Sequence, residues 1–485
     1  MAESIFKCSQ TPAADVNATR LSVAKVCEPV SGTPWTVQQP NEISSYSADI
    51  TKTQRTPIST DRSARKGTVT NVEVAPGFQT DLTLDTFRYW GDGFLYSKWV
   101  GAGAIDIDVT SVGGDSYNVT TLDAALPEGA LVYATGFTLA ANNGLKTVGA
   151  DSTTTAIKVS GLTAEASPPA EARLYLVGYA AASGDIAVNS NGQLTSTTLD
   201  FSTLGLVPGQ YIYIDGLTQS VTSKMARVTM VGDHVLTLAN SEFTTEEGTG
   251  KTVRLFVSSF VRNVPVDSAE FVKTEYTMEA RYNTTPVIYE YARAVAANQM
   301  TINAPLTEKM TMDLTFVAQD LSAPSETALP GSGYVEFVAN EAYNTVTNLN
   351  RVRLTGIDDS GLSTFLKDVT VTVNNNVSGE NVLGVMGAAF TNIGNPEITM
   401  ETETVMTDGA VLAAIRNNAT VNFELAGVNG DGAIVVNIPA MTLGDGSKNL
   451  ATGEKVKVTV SGNAHEEESI GFMIGFSLFP YLPTA

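Results

Sequence analysis

Residues 420–438 read TVNFELAGVNGDGAIVVNI, and this stretch carries the clearest structural signal in the chain. Its centre is Asn429-Gly430-Asp431-Gly432, and Asn-Gly and Asp-Gly pairs are typical of the tight turn that joins two antiparallel strands. Apolar and β-branched residues dominate both flanks. The stretch therefore predicts a β-hairpin whose strands are Thr420–Val428 and Ala433–Ile438.

Strand patterns continue on both sides of this hairpin. Towards the C-terminus, the predicted strands are Lys455–Ser461 and Ile470–Phe479. Towards the N-terminus, they are Ser44–Thr56, Lys66–Val74, Glu275–Arg281, Val287–Ala296, Met300–Ala304, Met310–Ala318, Val352–Leu354, Asp368–Val373 and Glu397–Val405. The alternation within these segments, and the glycine-rich turns between them, favour an all-β fold.

Helix signals stand out at two positions. Thr80-Asp81 and Thr407-Asp408 each offer an N-cap before apolar residues at helical spacing. In the first helix, we expect Gly91 and Gly93 to break or bend the chain. We expect the second helix to end at Asn417-Asn418. The predicted fold class is therefore all-β with two short helices.

The composition fits a multidomain β-protein. The chain has 485 residues, of which 43% are hydrophobic and only 16% are charged. This length exceeds one ordinary core, so we expect about two to four domains. The net charge of −22 argues against a protein that grips nucleic acid, because phosphate binding needs clustered lysine and arginine. The same charge suits a surface past which DNA slides, and it equally suits a protein whose acidity only maintains solubility.

Cysteine usage and targeting signals point to a cytoplasm. Neither Cys8 nor Cys27 belongs to a metal-type pair, so we expect two free thiols in a reducing compartment. The N-terminus lacks the pattern of a signal peptide, and no apolar run approaches the roughly 18 residues that span a bilayer. We therefore expect synthesis in a cytoplasm and no membrane partner.

An internal repeat occupies the middle of the chain. The first copies of its four blocks are Thr120–Asp123, Pro127–Gly129, Gly136–Thr138 and Arg173–Tyr175. The second copies, in the same order, are Thr197–Asp200, Pro208–Gln210, Gly216–Thr218 and Arg254–Phe256. An offset of about 80 residues is the size of a compact β-module. We interpret the region as a tandem pair of small β-modules inserted into a larger domain.

The rest of the chain also repeats. Gly67 precedes Asp81 by the same distance as Gly394 precedes Asp408, and Thr-Asp opens a predicted helix in both copies. An ancient duplication, with the module pair inserted into the first copy, explains this pattern. The predicted domains are an N-terminal arm (1–40), a discontinuous first domain (41–103 and 261–333), two inserted modules (104–182 and 183–260) and a second domain with a C-terminal arm (334–485).

The sequence contains no recognisable catalytic constellation. His234 and His465 are far apart, and the acidic neighbours of His465 favour a solvated loop over a metal site. Phosphate-binding loops and nucleophile-elbow motifs are absent. We therefore expect no enzyme activity, no metal and no cofactor.

The stretch Arg55–Lys66 is basic within an acidic chain. Its charged residues are Arg55, Asp61, Arg62, Arg65 and Lys66. Such a loop can bind the acidic surface of a neighbouring subunit. Its simpler interpretation is an ordinary exposed loop between two strands.

Several blocks, taken in order, resemble the duplicated tail tube proteins of long-tailed bacteriophages. Blocks similar to the first tube domain are Gly32–Trp35, Ser47–Arg55, Gly67–Val69, Asp85–Trp99, Glu275–Tyr282 and Asn298–Ile302. Blocks similar to the second are Asp368–Val377, Val382–Gly384 and Ile438–Met441. The resemblance covers the chain except for the insertion and the extreme N-terminus.

This resemblance implies two β-sandwich-like or barrel-like tail tube domains in one chain, and stacked rings whose strands close a barrel around a lumen. The main partner would be the chain itself, with three chains per ring because each carries two domains. Further implied partners are the tape measure, tail terminator and distal tail proteins, together with viral DNA in transit without specific binding. The location would be the virion tail, after assembly in the host bacterial cytoplasm. We expect the inserted modules to decorate the outside.

On this basis, two surfaces can be assigned. The residues expected at the contact between rings are Arg55, Arg62, Arg65, Lys66, Phe479 and Tyr481, together with the N-terminal arm. The acidic residues expected to line the lumen, where carboxylates repel DNA phosphates, are Glu73, Glu401, Glu403 and Glu424. Two rival functions stay open at this point: a multidomain β-adhesin or carbohydrate-binding surface protein, and a phage-borne carbohydrate-active enzyme.

Overall fold

The computed structural model describes residues 16–56, 58, 65–218, 224–239, 243–337, 340–356, 361–363 and 365–483. Strands account for 50% of the protein and helices for 7%. The described ranges contain two α-helices, α1 (Leu84–Leu95) and α2 (Ala410–Arg416). The prediction of an all-β fold with two short helices is therefore confirmed.

The strands fall into three groups along the chain. Those before the insertion are β1 (Arg20–Ala24), β2 (Pro34–Val37), β3 (Pro40–Ser45), β4 (Ala48–Arg55), β5 (Arg65–Val74) and β6 (Gly77–Asp81). Those of the insertion are β7 (Asp106–Val112), β8 (Ser116–Val119), β9 (Ala130–Thr135), β10 (Gly144–Thr147), β11 (Ala156–Lys158), β12 (Arg173–Ala180), β13 (Ala187–Val188), β14 (Leu194–Thr195), β15 (Tyr211–Asp215), β16 (Met225–Val231), β17 (Val235–Ala239) and β18 (Arg254–Val257). Those after it are β19 (Ser259–Arg262), β20 (Tyr276–Tyr282), β21 (Ile288–Ala304), β22 (Thr311–Val317), β23 (Asp320–Leu321), β24 (Gly333–Glu336), β25 (Leu349–Gly356), β26 (Gly361–Ser363), β27 (Leu366–Asn374), β28 (Ser378–Glu380), β29 (Phe390–Asn392), β30 (Glu397–Val405), β31 (Thr420–Asn429), β32 (Gly432–Asn449), β33 (Lys457–Ala464) and β34 (Gly475–Phe479).

The large sheet contains the same arrangement of strands twice. In the first unit, antiparallel pairing runs in the order β3, β6, β22, β21, β20 and β1. In the second unit, it runs in the order β27, β30, β33, β32, β31 and β25. A helix follows β6 in the first unit and β30 in the second, so the two units are structurally equivalent. The sequence-predicted hairpin Thr420–Ile438 is the β31–β32 hairpin of the second unit.

Within the described residues, one pair of strands joins the two units. The C-terminal half of β21 pairs antiparallel with β27, from Gln299 opposite Asn374 to Ala304 opposite Val369. The units also share one hydrophobic core, to which both helices and most strands of the sheet contribute. They are therefore continuous in both hydrogen bonding and packing, and the domain boundary drawn near residue 333 stays a prediction.

The N-terminal region differs from the expected arm. Strand β1 pairs with β20, and β2 pairs with β1 and runs parallel to β24, so residues 20–37 are part of the sheet. Trp35 is buried against Tyr291, which explains why this proline-rich stretch is anchored. Cys27 is a free thiol, and Cys8 lies outside the described residues.

The insertion forms its own sheet of twelve strands. Its halves repeat the same pairings: β7–β8, β8–β11, β9–β10 and β9–β12 in the first, and β13–β14, β14–β17, β15–β16 and β15–β18 in the second. The repeated Gly-x-Thr blocks occupy equivalent places, since Glu165 accepts from the Thr138 amide and Glu246 from the Thr218 amide. Pairing of β12 with β18 joins the halves over one core.

The insertion leaves and re-enters the large sheet through a narrow neck. The Val100 amide donates to the Phe260 carbonyl at 2.7 Å, and the Phe260 amide donates back at 2.9 Å. The two ends of the insertion therefore meet as neighbouring antiparallel segments.

Helix α1 corrects two details of the sequence prediction. Its N-cap is Thr83, which forms a capping box with Thr86, whereas Thr80 and Asp81 belong to β6. Gly91 and Gly93 do not end the helix, which continues to Leu95. They serve close packing instead, because a Cβ on Gly93 would clash with the Tyr276 hydroxyl.

Helix α2 agrees more closely with its prediction. It begins at Ala410, whose amide binds the Asp408 carboxylate at 2.8 Å, although the N-cap position itself is Gly409. Its C-cap is Asn417, and Asn418 has a positive φ of 49°. The predicted helix end is therefore confirmed.

Gly93→Ala should destabilise the protein by about 1–3 kcal/mol, the usual cost of overpacking a core. The cause is the Tyr276 hydroxyl, which is buried without a hydrogen-bond partner in the described chain. In a Tyr276→Phe background the hydroxyl is removed, and the nearest atom to the added Cβ is the ring Cζ at 3.0 Å, so Gly93→Ala should cost clearly less than in the parent. Chemical denaturation of the four proteins measures this coupling, and equal effects of Gly93→Ala in both backgrounds would disprove it.

Candidate assembly surfaces

One face of the large sheet is polar over strands of both units. In β27, Val369, Val371 and Val373 are buried, whereas the alternate residues are partly or fully exposed. The same alternation continues in β30, β33 and β22, because antiparallel pairing keeps side chains of one face together. Threonines, asparagines and acids dominate the exposed side. This polar face is a hydrophilic surface backed by an apolar core.

Carboxylates outnumber ammonium groups on the polar face. Its acids are Glu42, Asp81, Asp313, Asp368, Glu397, Glu401 and Glu403. Lys367 and Lys457 are held 3.8 and 4.0 Å from Glu403, and Lys309 lies 2.7 Å from Asp81. The acids of this face therefore outnumber the lysines beside them. Two of the four predicted lumen residues, Glu401 and Glu403, lie together on this face. Glu73 is exposed but lies on the separate β4–β5 hairpin.

The fourth predicted lumen residue, Glu424, is in a different environment, and its assignment to an open lumen is wrong. Its side chain is fully buried in β31. Oε2 of Glu424 lies 3.0 Å from Nη1 of Arg351 and 2.8 Å from Nε of Arg353. The Tyr211 hydroxyl donates to Oε1, so the insertion supplies one partner of this carboxylate. Glu424 therefore connects the insertion to the second unit.

The charge of Glu424 is stabilised by its surroundings. Burial alone would raise the pKa of this carboxyl, but the positive charges of Arg351 and Arg353 outweigh burial and lower the pKa to about 2. The same burial, with the neighbouring carboxylate, raises the pKa of Tyr211 well above its usual value. The tyrosine thus stays a hydrogen-bond donor, and the glutamate stays an anion.

The first unit has a buried glutamate at the equivalent position, which the sequence prediction missed. Glu279 of β20 is fully buried and lies 3.0 Å from Nη2 of Arg20. The strand register also matches. In the first unit, Ser22 lies opposite Glu279, and Arg20 is two residues before Ser22. In the second unit, Arg353 lies opposite Glu424, and Arg351 is two residues before Arg353. The sequence signal was a lone Glu inside an apolar strand, in Met278-Glu279-Ala280 and in Phe423-Glu424-Leu425.

Apolar contacts extend the link between the insertion and the second unit. The cluster between them contains Leu131, Val177, Tyr211, Tyr213, Met225 and Phe256 from the insertion and Ala426, Ala433, Val435 and Phe479 from the second unit. Phe479 is fully buried there, and Tyr481 stacks on Tyr133 at 4.7 Å. The prediction that Phe479 contacts another ring is therefore corrected, since this residue is buried within its own chain. Tyr481 is half-buried, and its contact with another ring stays a prediction.

The basic residues lie on an extended hairpin. Strands β4 and β5 pair with Arg55 opposite Arg65, and Lys66 follows. Arg55, Arg65 and Lys66 are all exposed near the end of the hairpin, and Arg62 lies outside the described residues. The structure thus brings three of the predicted contact residues together on one projecting element.

Among the strands of the two equivalent units, β3 and the C-terminal part of β32 each have an open edge in the described chain. Strand β3 pairs on one side only, with β6. In β32, the residues from Leu443 to Asn449 pair with β33 alone. The edge of β3 is the counterpart of the β27 edge, and the open edge of β32 is the counterpart of the β21 edge that pairs with β27. The chain therefore carries one unpaired copy of each side of that junction.

Other kinds of site are not found in the described part of the chain. No group of three or more His, Cys, Asp or Glu residues there is arranged to hold a metal ion. No described helix has the length and apolarity needed to cross a membrane.

Glu424→Gln should lower the free energy of unfolding by about 3–5 kcal/mol, because it removes the counter-charge of the buried Arg353 and the largely buried Arg351. The matched control is Glu401→Gln on the exposed polar face, for which we expect a change within about 0.5 kcal/mol. Denaturant titration of both variants against the parent measures the difference. Similar small effects of the two changes would contradict the buried network.

The same network has a defined pH dependence. Because the pKa of Glu424 falls from 4.5 in its reference state to about 2, its stabilisation is present above about pH 4.5 and is lost as the pH falls towards 2. Glu424→Gln should therefore flatten the acid limb of the stability profile in that window. An acid limb as steep as that of the parent would exclude this role.

Comparison with known proteins agrees with the resemblance seen in the sequence. The family described as phage tail tube protein matches residues 16–473, which is nearly the entire chain. No curated protein matches it. The chain therefore belongs to the phage tail tube protein family, as a structural protein of the virion tail.

Proposed function

We propose that this chain forms rings that stack into a tube with an acidic bore, through which DNA passes from the capsid into the host. The observation that carries the proposal is the β21–β27 junction between two equivalent units, together with the open counterpart edges at β32 and β3. An unpaired edge is a template for further pairing, and a closed ring removes it. A tube protein has a use for such edges.

Ring closure follows from repeating the internal junction between chains. Strand β27 is the counterpart of β3, and β21 is the counterpart of β32. If β3 of one chain pairs with β32 of the next, every unit has the same neighbours, and the heterologous contact closes by rotation. Three chains would then form a ring of six units. This stoichiometry goes beyond the family assignment, which does not specify how many chains form a ring.

The pairing register between chains can be derived from the internal one. Ser45 and Thr370 are equivalent, because they lie opposite Gly77 and Glu401 in the matching strands β6 and β30. Thr370 pairs with Asn303 in the internal junction. Asn303 in turn corresponds to Asn449, since they lie opposite the matching residues Thr311 and Lys457. We therefore expect Ser45 of one chain to face Asn449 of its neighbour.

The polar face supports the assignment of the bore. It follows the strands that meet at the junction, so ring closure makes it continuous around the axis. Its excess of carboxylates repels DNA phosphates, and its threonine and asparagine side chains offer no cationic clusters that would retain DNA. The insertion packs on β31, β32 and β34, away from the strands that form this face, which supports its place on the outside.

The remaining assignments follow from the family. We propose that the open ends of the tube meet the tail terminator and distal tail proteins, and that the bore holds the tape measure protein before DNA enters. Assembly in the host cytoplasm fits the free thiol of Cys27, because a reducing compartment keeps such groups unpaired.

Negative-stain microscopy of the purified protein should show rings and tubes with a central channel, and native mass measurement of isolated rings should give three chains. Monomeric particles without a bore would disprove the proposal. A count of six chains would remove the argument from duplication. A tube reconstruction with Glu401 and Glu403 facing outward would contradict the bore assignment.

Ser45→Cys combined with Asn449→Cys should give disulfide-linked rings under mild oxidation, because facing residues of an antiparallel pair are close enough for this bond. The background is Cys8→Ser and Cys27→Ser, and each single cysteine variant is a control. The readout is a ladder of covalent oligomers on a non-reducing gel. Rings that form normally but show no ladder would refute the register while leaving the tube function intact.

A further inference from the structure

A cavity of about 630 Å³ lies between the two halves of the insertion. It is lined by residues 120–127 of the first half, by residues 203–205 of the second half and by Gly101 and Ala102 of the neck. Cavities of this size bind small molecules in many proteins. None of these residues belongs to the polar face or to the open strand edges, so the proposed tube function assigns the cavity no role.

The two copies of the repeated Thr-Thr-Leu-Asp block use their aspartates differently. In the second copy, Asp200 precedes the short 3-10 helix Phe201–Leu204, and its carboxylate accepts from the Ser202 amide at 2.9 Å and from the Ser202 hydroxyl at 2.6 Å. In the first copy, Ala125 stands at the position of Ser202 and has no hydroxyl to donate. Asp123 lines the cavity, is exposed, and has no hydrogen-bond or ion-pair partner within the described chain. The first copy therefore has a carboxylate that is available to a ligand.

A buried tyrosine adds a second polar group to the cavity. Tyr179 of β12 lines the cavity and is only 6% exposed. Its hydroxyl has no hydrogen-bond partner among the residues that the structure describes. Burial raises the pKa of Tyr179 to about 12, so the hydroxyl keeps its proton at physiological pH. An unpaired hydroxyl in such a place costs free energy, which a bound polar group recovers.

The remaining lining favours a ligand that is both apolar and cationic. Leu126, Leu176 and Leu204 contribute buried apolar walls. The second carboxylate of the lining, Asp106, is already paired with Arg88 at 2.7 Å. The described lining contains no lysine, arginine or histidine, so an anionic ligand would find no counter-charge in these walls. A cation with an apolar body fits both the free carboxylate and the leucines.

We infer that the cavity binds a small aliphatic amine, with an ammonium group paired to Asp123 and a methylene chain packed between the leucines of the two halves. The Tyr179 hydroxyl oxygen offers a second acceptor, since an ammonium group carries three donors. A metal ion would gain nothing from the apolar walls, and an uncharged hydrocarbon would leave Asp123 and Tyr179 without partners. The amine site goes beyond the proposed tube function and does not require that rings form.

Equilibrium dialysis of the full-length chain against hexamethylenediamine tests the amine site at roughly 0.15 M salt, where pairing between exposed charges is largely screened. We expect saturable binding of one diamine per chain. Asp123→Asn should weaken the affinity by about tenfold, because charge-assisted hydrogen bonds are stronger than neutral ones. Tyr179→Phe keeps the ring and loses only the hydroxyl, and it should weaken the affinity by about threefold. Thermal unfolding of each variant checks that it is folded.

Matched controls separate the cavity from general electrostatics. Glu247→Gln also removes one negative charge, but from an exposed residue outside the described lining, and it should bind the diamine as the parent does. Hexamethylene glycol has the same chain without the charges, and it should show no saturable binding at the same concentrations. Magnesium chloride supplies the charge without the chain, and magnesium at equal charge should not displace the diamine.

Other outcomes overturn the inference. Absence of saturable diamine binding would exclude the amine site, and parent-like affinity of Asp123→Asn or Tyr179→Phe would contradict the assigned contacts. An equal loss of affinity in Asp123→Asn and Glu247→Gln, or displacement by magnesium, would assign the binding to the overall negative charge. Glycol binding as tight as that of the diamine would leave only an apolar cavity. Dialysis measures binding whether the protein is monomeric or assembled, so failure of this site and failure of the tube function are distinguishable.

Discussion

The hydrogen-bonding groups along a β-strand edge must find partners, and the architecture of this chain depends on where they find them. The chain satisfies one such edge internally, where β21 meets β27. Because the units on either side of that junction are equivalent, the same bonding potential reappears at β3 and β32. Isolated sheets normally protect such edges, whereas a ring-forming protein requires them to stay available. In the proposed ring, assembly and fold would use the same interaction.

Buried ion pairs also help to determine how the parts of this chain are arranged. Glu279 and Glu424 are fully buried at equivalent positions, and each is compensated by an arginine from the neighbouring strand. A buried ion pair contributes little net stability, but it penalises every arrangement in which the partners separate. In the second unit, Tyr211 completes the pair from outside the unit. The insertion is therefore an integral part of the folded chain, although its neck consists of a short pair of antiparallel segments.

Much of the fold could be predicted from the sequence, because it is encoded in local patterns. The Asn429–Gly432 turn, the alternation in Asp368–Val373 and the repeated blocks of the insertion all correspond to elements of the structure. The errors concern long-range contacts. Gly93 was expected to break or bend a helix because the sequence does not show that Tyr276 packs against it. Glu424 and Phe479 were expected on open surfaces because burial by the insertion depends on residues such as Tyr211 and Phe256, which are distant in sequence. Alternation identifies the two faces of a strand, but it does not reveal what covers each face.

Carrying both units in one polypeptide has an evolutionary consequence. In a ring of identical single-unit subunits, a substitution appears at every position around the axis at once. Here the two connecting hairpins, β4–β5 and β28–β29, are encoded separately, so one could become basic around Arg55 and Arg65 while the other became apolar around Leu383 and Met386. In the proposed ring, the two hairpins can therefore differ in chemistry, which a ring of identical single-unit subunits does not allow.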